Sequence, residues 1–255
     1  MSLELIKKIR IETGAPMGDI KKALDQADND EVKAVEILRK KGQQMATKRV
    51  ERSTSEGLIS IKEEANKIAV VALACETDFV ARNDDFKKAA EDFVIKLLVM
   101  GKDSFKEWAE QEIKNNLIVK IGENIQLNNF DIIEGEVIAS YLHLNSKVAA
   151  VVVLEGGNKE QAKEVAMQVV AMNPKYVEPE DVPSEEVDKE KEIYREQLRN
   201  ENKPEAMIEK ILEGKVNKYY SEVCLIKQPY IKEDKISIEK YLSEVKVKQF
   251  TLFSL

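Results

Sequence analysis

The chain has 255 residues, a length at which one hydrophobic core stops growing, so two or three modules are expected rather than a single body. Hydrophobic residues make up 43% and charged residues 34%, which is enough apolar material for a core but implies helices with broad solvent-facing surfaces. Forty basic against 47 acidic residues leave a net charge of −7, which disfavours a reader of the nucleic-acid backbone. Residues 1–55 carry 12 basic and 9 acidic side chains, a mild +3 asymmetry. The spacing of Cys75 and Cys224, the two cysteines of the chain, fits neither a disulfide framework nor a CxxC site, so a reducing cytosol is the expected setting. The amino terminus lacks an apolar signal core and no 18-residue stretch is free of charge, so a soluble, cytoplasmic protein without membrane association is expected.

Leu3, Leu5, Ile6 and Ile9 fall at helical spacing behind Ser2, and Gly14 permits the turn that ends a helix. Pro16 opens a second helix to Ala27, and Asn29 or Asp30 caps a third, bearing Ala34, Val35 and Leu38, with Gly42 expected just past its end. These make a three-helix module over residues 1–45, and the aperiodic polar stretch 46–56 reads as a flexible connection.

From Gly57 the pattern turns to strands, Leu58 to Glu63 and the apolar run Ile68 to Cys75, followed by a helix from about Asp85 to Met100 that Gly101 closes. The same order recurs in Val137 to His143, Val148 to Leu154 and a helix bearing Ala162, Val165, Ala166, Val169 and Val170. Laying Lys67 on Lys147 gives an offset of 80, and laying Ala89 on Ala162 gives 73, which leaves seven extra residues between Glu76 and Asp84 of the first copy. Extra length in one repeat's loop serves a task the shared scaffold does not. The core is thus divided into 57–134 and 135–183. The charged segment 184–223 reads as an antiparallel helical hairpin, with Val187, Tyr194 and Leu198 facing Ile208, Leu212, Tyr219 and Val223. Residues 224–255 return to the core and end in an edge strand. The fold class is α+β.

Several chemistries drop out. Gly156-Gly157-Asn158-Lys159 lacks the spacing and the hydroxyl residue of a phosphate-cradling loop. Asp25, Asp28 and Asp30 lack the glycine and the terminal glutamate of a calcium loop, and His143, the one histidine, reads as a packing residue rather than a ligand or base. No catalytic residue, metal or cofactor is expected. The loop Thr77 to Asn83 has two readings: Asn83 or Asp84 caps the next helix while Phe79 folds into the core, or Phe79 points outward as an anchor with Asp78 beside it as an acceptor. The cap and the anchor are different residues, so the second reading keeps the cap.

Thr13-Gly-Ala-Pro-Met17, Glu76-Thr-Asp-Phe-Val-Ala-Arg-Asn83, Ala171-Met-Asn-Pro-Lys-Tyr176 and Gly214-Lys-Val-Asn-Lys-Tyr219 resemble the elongation factor Ts family. Ile121-Gly-Glu-Asn-Ile125, Ser140-Tyr-Leu-His143 and Glu222-Val-Cys-Leu-Ile-Lys-Gln-Pro-Tyr230 extend the resemblance over nearly the whole chain. It implies an amino-terminal ubiquitin-associated (UBA)-like domain, a two-repeat core with antiparallel sheets and a protruding antiparallel coiled-coil hairpin. The implied function is guanine-nucleotide exchange during translation elongation on elongation factor Tu, bound in its GDP-loaded and nucleotide-free forms, without covalent chemistry. Thr77, Asp78, Phe79 and Val80 inherit the role of displacing the partner's magnesium and disturbing its phosphate site. Arg10, Thr13, Gly14, Ala15, Pro16, Met17, Arg82, Asn83 and His143 inherit partner contacts, and a dimer of heterodimers is allowed. Leu144-Asn145-Ser146 departs from the glycines the family often has after the histidine, and the carboxy terminus reads as short beside longer members. A helical adaptor without exchange activity is the other function considered, and an enzyme using Cys75 and Glu76 the least favoured.

Overall fold

The computed structural model describes residues 2–49, 51–201 and 203–255, which divide into two compact units. The first runs to Ile133 and takes in Leu144–Val148 and Phe253–Leu255; the second comprises Glu134–His143 and Ala149–Leu252. The fold is α+β, with two three-stranded sheets of the same construction.

Three helices open the first unit: α1 (Leu3–Thr13), α2 (Met17–Gln26) and α3 (Glu31–Arg49). Ser2 caps α1 by accepting from the Glu4 amide, and Gly14 ends it at φ 66°, a left-handed conformation that favours glycine. Ile6, Ile9, Ile20, Leu24, Ala34 and Leu38 close over one another as the module's core. Gly42 does not end α3. It lies inside the helix, where a Cβ would come within 2.3 Å of Val119, so its smallness serves a close helix approach rather than a turn. With no proline or further glycine after it, the helix continues to Arg49, well into the stretch expected to be flexible.

The first sheet has the order β1 (Glu56–Glu64), β2 (Lys67–Cys75), β3 (Ile125–Glu134), and β1 and β2 pair antiparallel with Leu58 opposite Leu73. The one-turn helix α4 (Asp78–Ala81) and α5 (Asp84–Glu112) follow β2. Gly101 interrupts α5 with φ 74° but does not close it, because the chain turns back into helix and brings Phe105 and Trp108 against Phe93, with Phe130 against Phe105. A π-turn (Ile113–Leu117) and α6 (Ile118–Ile121) lead to β3.

The second sheet joins β4 (Val137–Leu142), β5 (Val148–Glu155) and β8 (Lys246–Ser254) in that order, and α7 (Lys159–Met172) follows β5. Ile138 lies opposite Val153, and this pair sits 80 residues beyond the pair Leu58 and Leu73 on both strands. The two hairpins therefore share one register, as the internal repeat requires. The helices do not keep the expected offset of 73. Ala90, Phe93, Val94 and Leu97 are buried in α5 where Ala162, Val165, Ala166 and Val169 are buried in α7, an offset of 72, whereas Ala89 is only partly buried. The first copy is longer by eight residues rather than seven. Sequence similarity aligns two alanines, but burial pairs the helix faces.

In the second unit α8 (Ser184–Asn200) and α9 (Glu205–Val223) pack side by side. Glu186 meets Tyr219, Arg195 meets Glu209 and Arg199 meets Glu205, so one helix descends as the other rises. Val187, Leu198, Ile208, Leu212, Tyr219 and Val223 are buried, and Tyr194 is partly so, as the expected seam requires. The short strands β6 (Pro229–Tyr230) and β7 (Glu233–Ser237), then α10 (Ile238–Leu242), lead into β8, which lies at the edge of its sheet.

At the base of the helix pair the Glu186 carboxylate accepts from Tyr219 at 2.5 Å and Tyr176 at 2.8 Å. These hydroxyls, Tyr219 first, hold its pKa below the usual carboxylate range. A depressed folded-state value stabilises the fold above the unfolded-chain pKa, and that contribution is lost as the pH falls through the folded-state value. Glu186→Gln is expected to lower the urea midpoint at pH 7, with the difference from the unsubstituted chain shrinking below about pH 4. Urea titrations followed by near-ultraviolet circular dichroism at several pH values check this.

Candidate partner-binding site

The eight extra residues of the first repeat form a braced turn. Beyond Cys75 the backbone amides of Glu76 and Thr77 leave the sheet, and both donate to Glu123 Oε2, at 3.1 and 3.0 Å. Thr77 Oγ1 donates to Glu123 Oε1 at 2.7 Å. The arrangement is reciprocal, since the Glu76 carboxylate accepts from the Asn124 amide at 2.7 Å. Asn124, which is buried, donates from its side chain to the Arg52 carbonyl at 2.8 Å, and the Arg52 guanidinium lies 3.4 Å from Glu76. Two carboxylates thus clasp two stretches of backbone far apart in the sequence.

Thr77 also caps α4, its hydroxyl accepting from the Val80 amide at 3.4 Å. Val80 and Ala81 pack against the core of the first unit, while Phe79 is 82% exposed. Asp78 pairs with Arg82 at 3.1 Å, and Asn83 caps α5 by accepting from the Asp85 amide at 2.8 Å. Both readings of the loop hold in part: Asn83 is the cap, but Phe79 faces solvent instead of folding into the core. An exposed phenylalanine on a held turn is the unusual observation, because the other apolar side chains of the turn are at least half-buried.

The other expected contact residues are placed unequally. Arg10, Pro16 and Met17 are exposed, whereas Thr13 and Gly14 are partly covered. Ala15 is 3% exposed and belongs to the module's core, so it shapes the turn and offers no side chain to a partner. A Cβ on Gly14 would meet the Lys120 side chain at 2.6 Å, which puts this turn against α6. Lys120 in turn reaches Asp85 at 2.7 Å. The segment 119–124 therefore touches the Thr13–Met17 turn at Lys120 and the Thr77–Val80 turn at Glu123. His143 follows β4 and is exposed, its ring 6.4 Å from that of Tyr141. It is an exposed residue and not the packing residue expected, lying just past the end of β4 at Leu142. Leu144 beyond it is 96% exposed, and Ser146 takes a left-handed φ of 56°.

The description "Elongation factor TS" belongs to the family model that matches residues 76–255. Over its full length the chain is 42% identical to elongation factor Ts of Hydrogenobaculum sp., covering 98% of that protein. The chain belongs to the elongation factor Ts family. It is also 38% identical to elongation factor Ts of Deinococcus deserti and 37% to that of Deinococcus radiodurans, with 99% of both chains covered in each case.

Glu123, Asn124 and Arg52 brace the candidate site, and sequence reasoning does not single them out. Glu123 and Asn124 stand within the quoted Ile121–Ile125 motif, but nothing local says that a carboxylate there turns back to amides at 76 and 77. Among the described residues no group of three or more His, Cys, Asp or Glu side chains is placed to hold a metal ion, and no helix is long and apolar enough to cross a membrane. Cys75 is fully buried and donates to the Thr77 carbonyl at 3.3 Å. Its thiol pKa is pushed up to about 12, chiefly by burial and then by the nearby Glu123 charge. A neutral, covered thiol is no nucleophile at pH 7, which counts against the enzyme reading. Burial likewise pushes Cys224 up to about 11. Iodoacetamide at pH 7 is expected to leave both thiols unmodified in the folded protein and to label both in urea, as intact-mass spectrometry would record.

Proposed function

We propose that this elongation factor Ts family member is a guanine-nucleotide exchange factor that binds elongation factor Tu and promotes GDP release. The observation that carries the reading is Phe79, an exposed aromatic held on a short braced turn in a member of that family. Because the turn's backbone is already held, such a side chain can enter a packed nucleotide site without the loop first having to order. Thr77 and Val80 hold the turn, and Asp78 supplies the polar group beside the wedge, so the partner competes with Arg82 for it. The target of the wedge is the partner's magnesium and phosphate site, where loosening one large local charge weakens the nucleotide.

Exchange requires no covalent step. The factor binds the nucleotide-free or distorted partner better than the loaded one, and by linkage the nucleotide weakens the factor equally. A nucleotide held at about nanomolar Kd is stabilised by roughly 12 kcal/mol, so one aromatic cannot displace it unaided. Arg10, Thr13, Gly14, Pro16, Met17, Arg82, Asn83 and His143 would share the interface, with Ala15 acting only through the shape of its turn. On this reading residues 1–45 form a UBA-like domain, 57–134 and 135–183 with 224–255 form the two-part core, and 184–223 form a coiled-coil hairpin that docks. The protein works in the cytoplasm on GDP-bound and nucleotide-free elongation factor Tu, as a heterodimer or a dimer of heterodimers, without direct contact to nucleic acid or membrane.

Release of a fluorescent GDP analogue from elongation factor Tu, chased with excess GDP, tests this with substoichiometric amounts of the protein. Acceleration with turnover is expected; binding without acceleration would favour the adaptor reading. Phe79→Ala is expected to slow stimulated release more than Asp78→Ala, since truncating an aromatic anchor commonly costs about 2 kcal/mol, on the order of 30-fold. Near-normal release with Phe79→Ala would overturn the wedge. Deleting residues 184–223 is expected to change the affinity for elongation factor Tu more than the release rate at saturation, as stopped-flow titration would show.

A further inference from the structure

We propose that Glu123 is a positioning residue for exchange, which aims Phe79 by holding the backbone from which α4 starts. The inference rests on the exchange reading above and deepens it. Three observations carry it. First, Glu123 accepts from both amides that precede α4 and from the Thr77 hydroxyl, so one carboxylate sets the position and direction of the turn's first residue. Second, α4 has only four residues, too few to hold a direction by its own hydrogen bonds. Third, Glu123 is itself anchored. It follows Gly122, which ends α6 at φ 89°, and precedes Asn124, whose amide is held by Glu76 and whose side chain is held by the Arg52 carbonyl.

Phe79 makes none of these contacts, and its exposure leaves it no packing of its own to set its direction. Val80 and Ala81 fix the far end of the turn against the core, and Glu123 fixes the near end. Without Glu123 the amides of Glu76 and Thr77 lose their acceptor, and the turn can tilt while the rest of the fold stands. A tilted wedge still meets the partner through the remaining surface but enters the nucleotide site less deeply. The expected signature is a fall in the maximal rate rather than in affinity.

The charge of Glu123 and its geometry can be separated by substitution. In Glu123→Gln the amide oxygen can accept both backbone N–H groups while the amide nitrogen donates to Thr77 Oγ1, so the brace survives without the charge. Glu123→Asp keeps the charge but withdraws it by one methylene, and Glu123→Ala removes both. Stimulated release of the fluorescent GDP analogue is measured against factor concentration for each variant, with near-ultraviolet circular dichroism recorded alongside. Glu123→Ala is expected to lower the maximal rate roughly tenfold with less than about a threefold change in half-saturating concentration. Glu123→Gln should recover most of that rate, and Glu123→Asp less. In a double-mutant cycle Glu123→Ala should cost less than about twofold once Phe79 is alanine, because there is then no wedge to aim.

Equal slowing by Glu123→Gln and Glu123→Ala, with Glu123→Asp active, would overturn the proposal in favour of direct action of the charge. Full multiplicative losses in the cycle, or an unchanged maximal rate in Glu123→Ala, would also overturn it. If Glu123→Ala fails to fold, the order of the Gln and Asp variants decides alone. Failure of the unsubstituted protein to accelerate release would instead strike the exchange reading itself.

Discussion

Residues Ile68 to Cys75 of β2 are buried without exception, and the arrangement of the first unit follows from that constraint. A strand apolar on both faces has to lie between neighbours on its edges, here β1 and β3, with a helix, α5, covering one face. Where such a strand ends, its last amides need new acceptors, because an unpaired buried N–H is costly. Glu123 supplies them for Glu76 and Thr77. The turn that bears Phe79 is thus an extension of how the buried strand terminates.

The second repeat shows what the scaffold does without this turn. After β5 the chain passes through Gly156 and Gly157, both at positive φ, straight into the Asn158–Gln161 capping box of α7. That connection is closed by the neighbouring Asn158 and Gln161, which bond each other's amides, and presents no aromatic. The eight additional residues of the first copy cannot close in that way. They need an acceptor from a distant segment, and the distant segment needs Glu76 in return. The clasp couples two segments of the first unit, 76–77 and 123–124, beside the turn on which Phe79 is exposed.

Much of the fold was legible because its signals are local. Helical spacing around Ile6 and Ile9, the apolar run of β2 and the seam of α8 and α9 each follow from periodicity and side-chain polarity. Gly42 and Gly101 mislead for a common reason. Glycine after a periodic run usually ends a helix, but here one glycine admits Val119, and the other, at φ 74° with open space around it, bends a helix that resumes. The one-residue error in aligning α5 with α7 has the same origin, since identical alanines occupy different faces and only burial tells them apart.

For the candidate site the division is sharper. The order of polar and apolar residues by itself determined that a strand ends at Cys75, that Asn83 can cap the next helix, that the loop between them is longer than its counterpart, and which family the motifs resemble. Tertiary structure decided that Phe79 faces solvent, that Ala15 does not, and that Glu123 holds the turn. Exposure depends on which neighbours arrive, and a hydrogen bond between residues 77 and 123 depends on the whole path of α5, its kink and α6 between them. No local pattern of residue types encodes that path; it is set by the packing of the elements against one another.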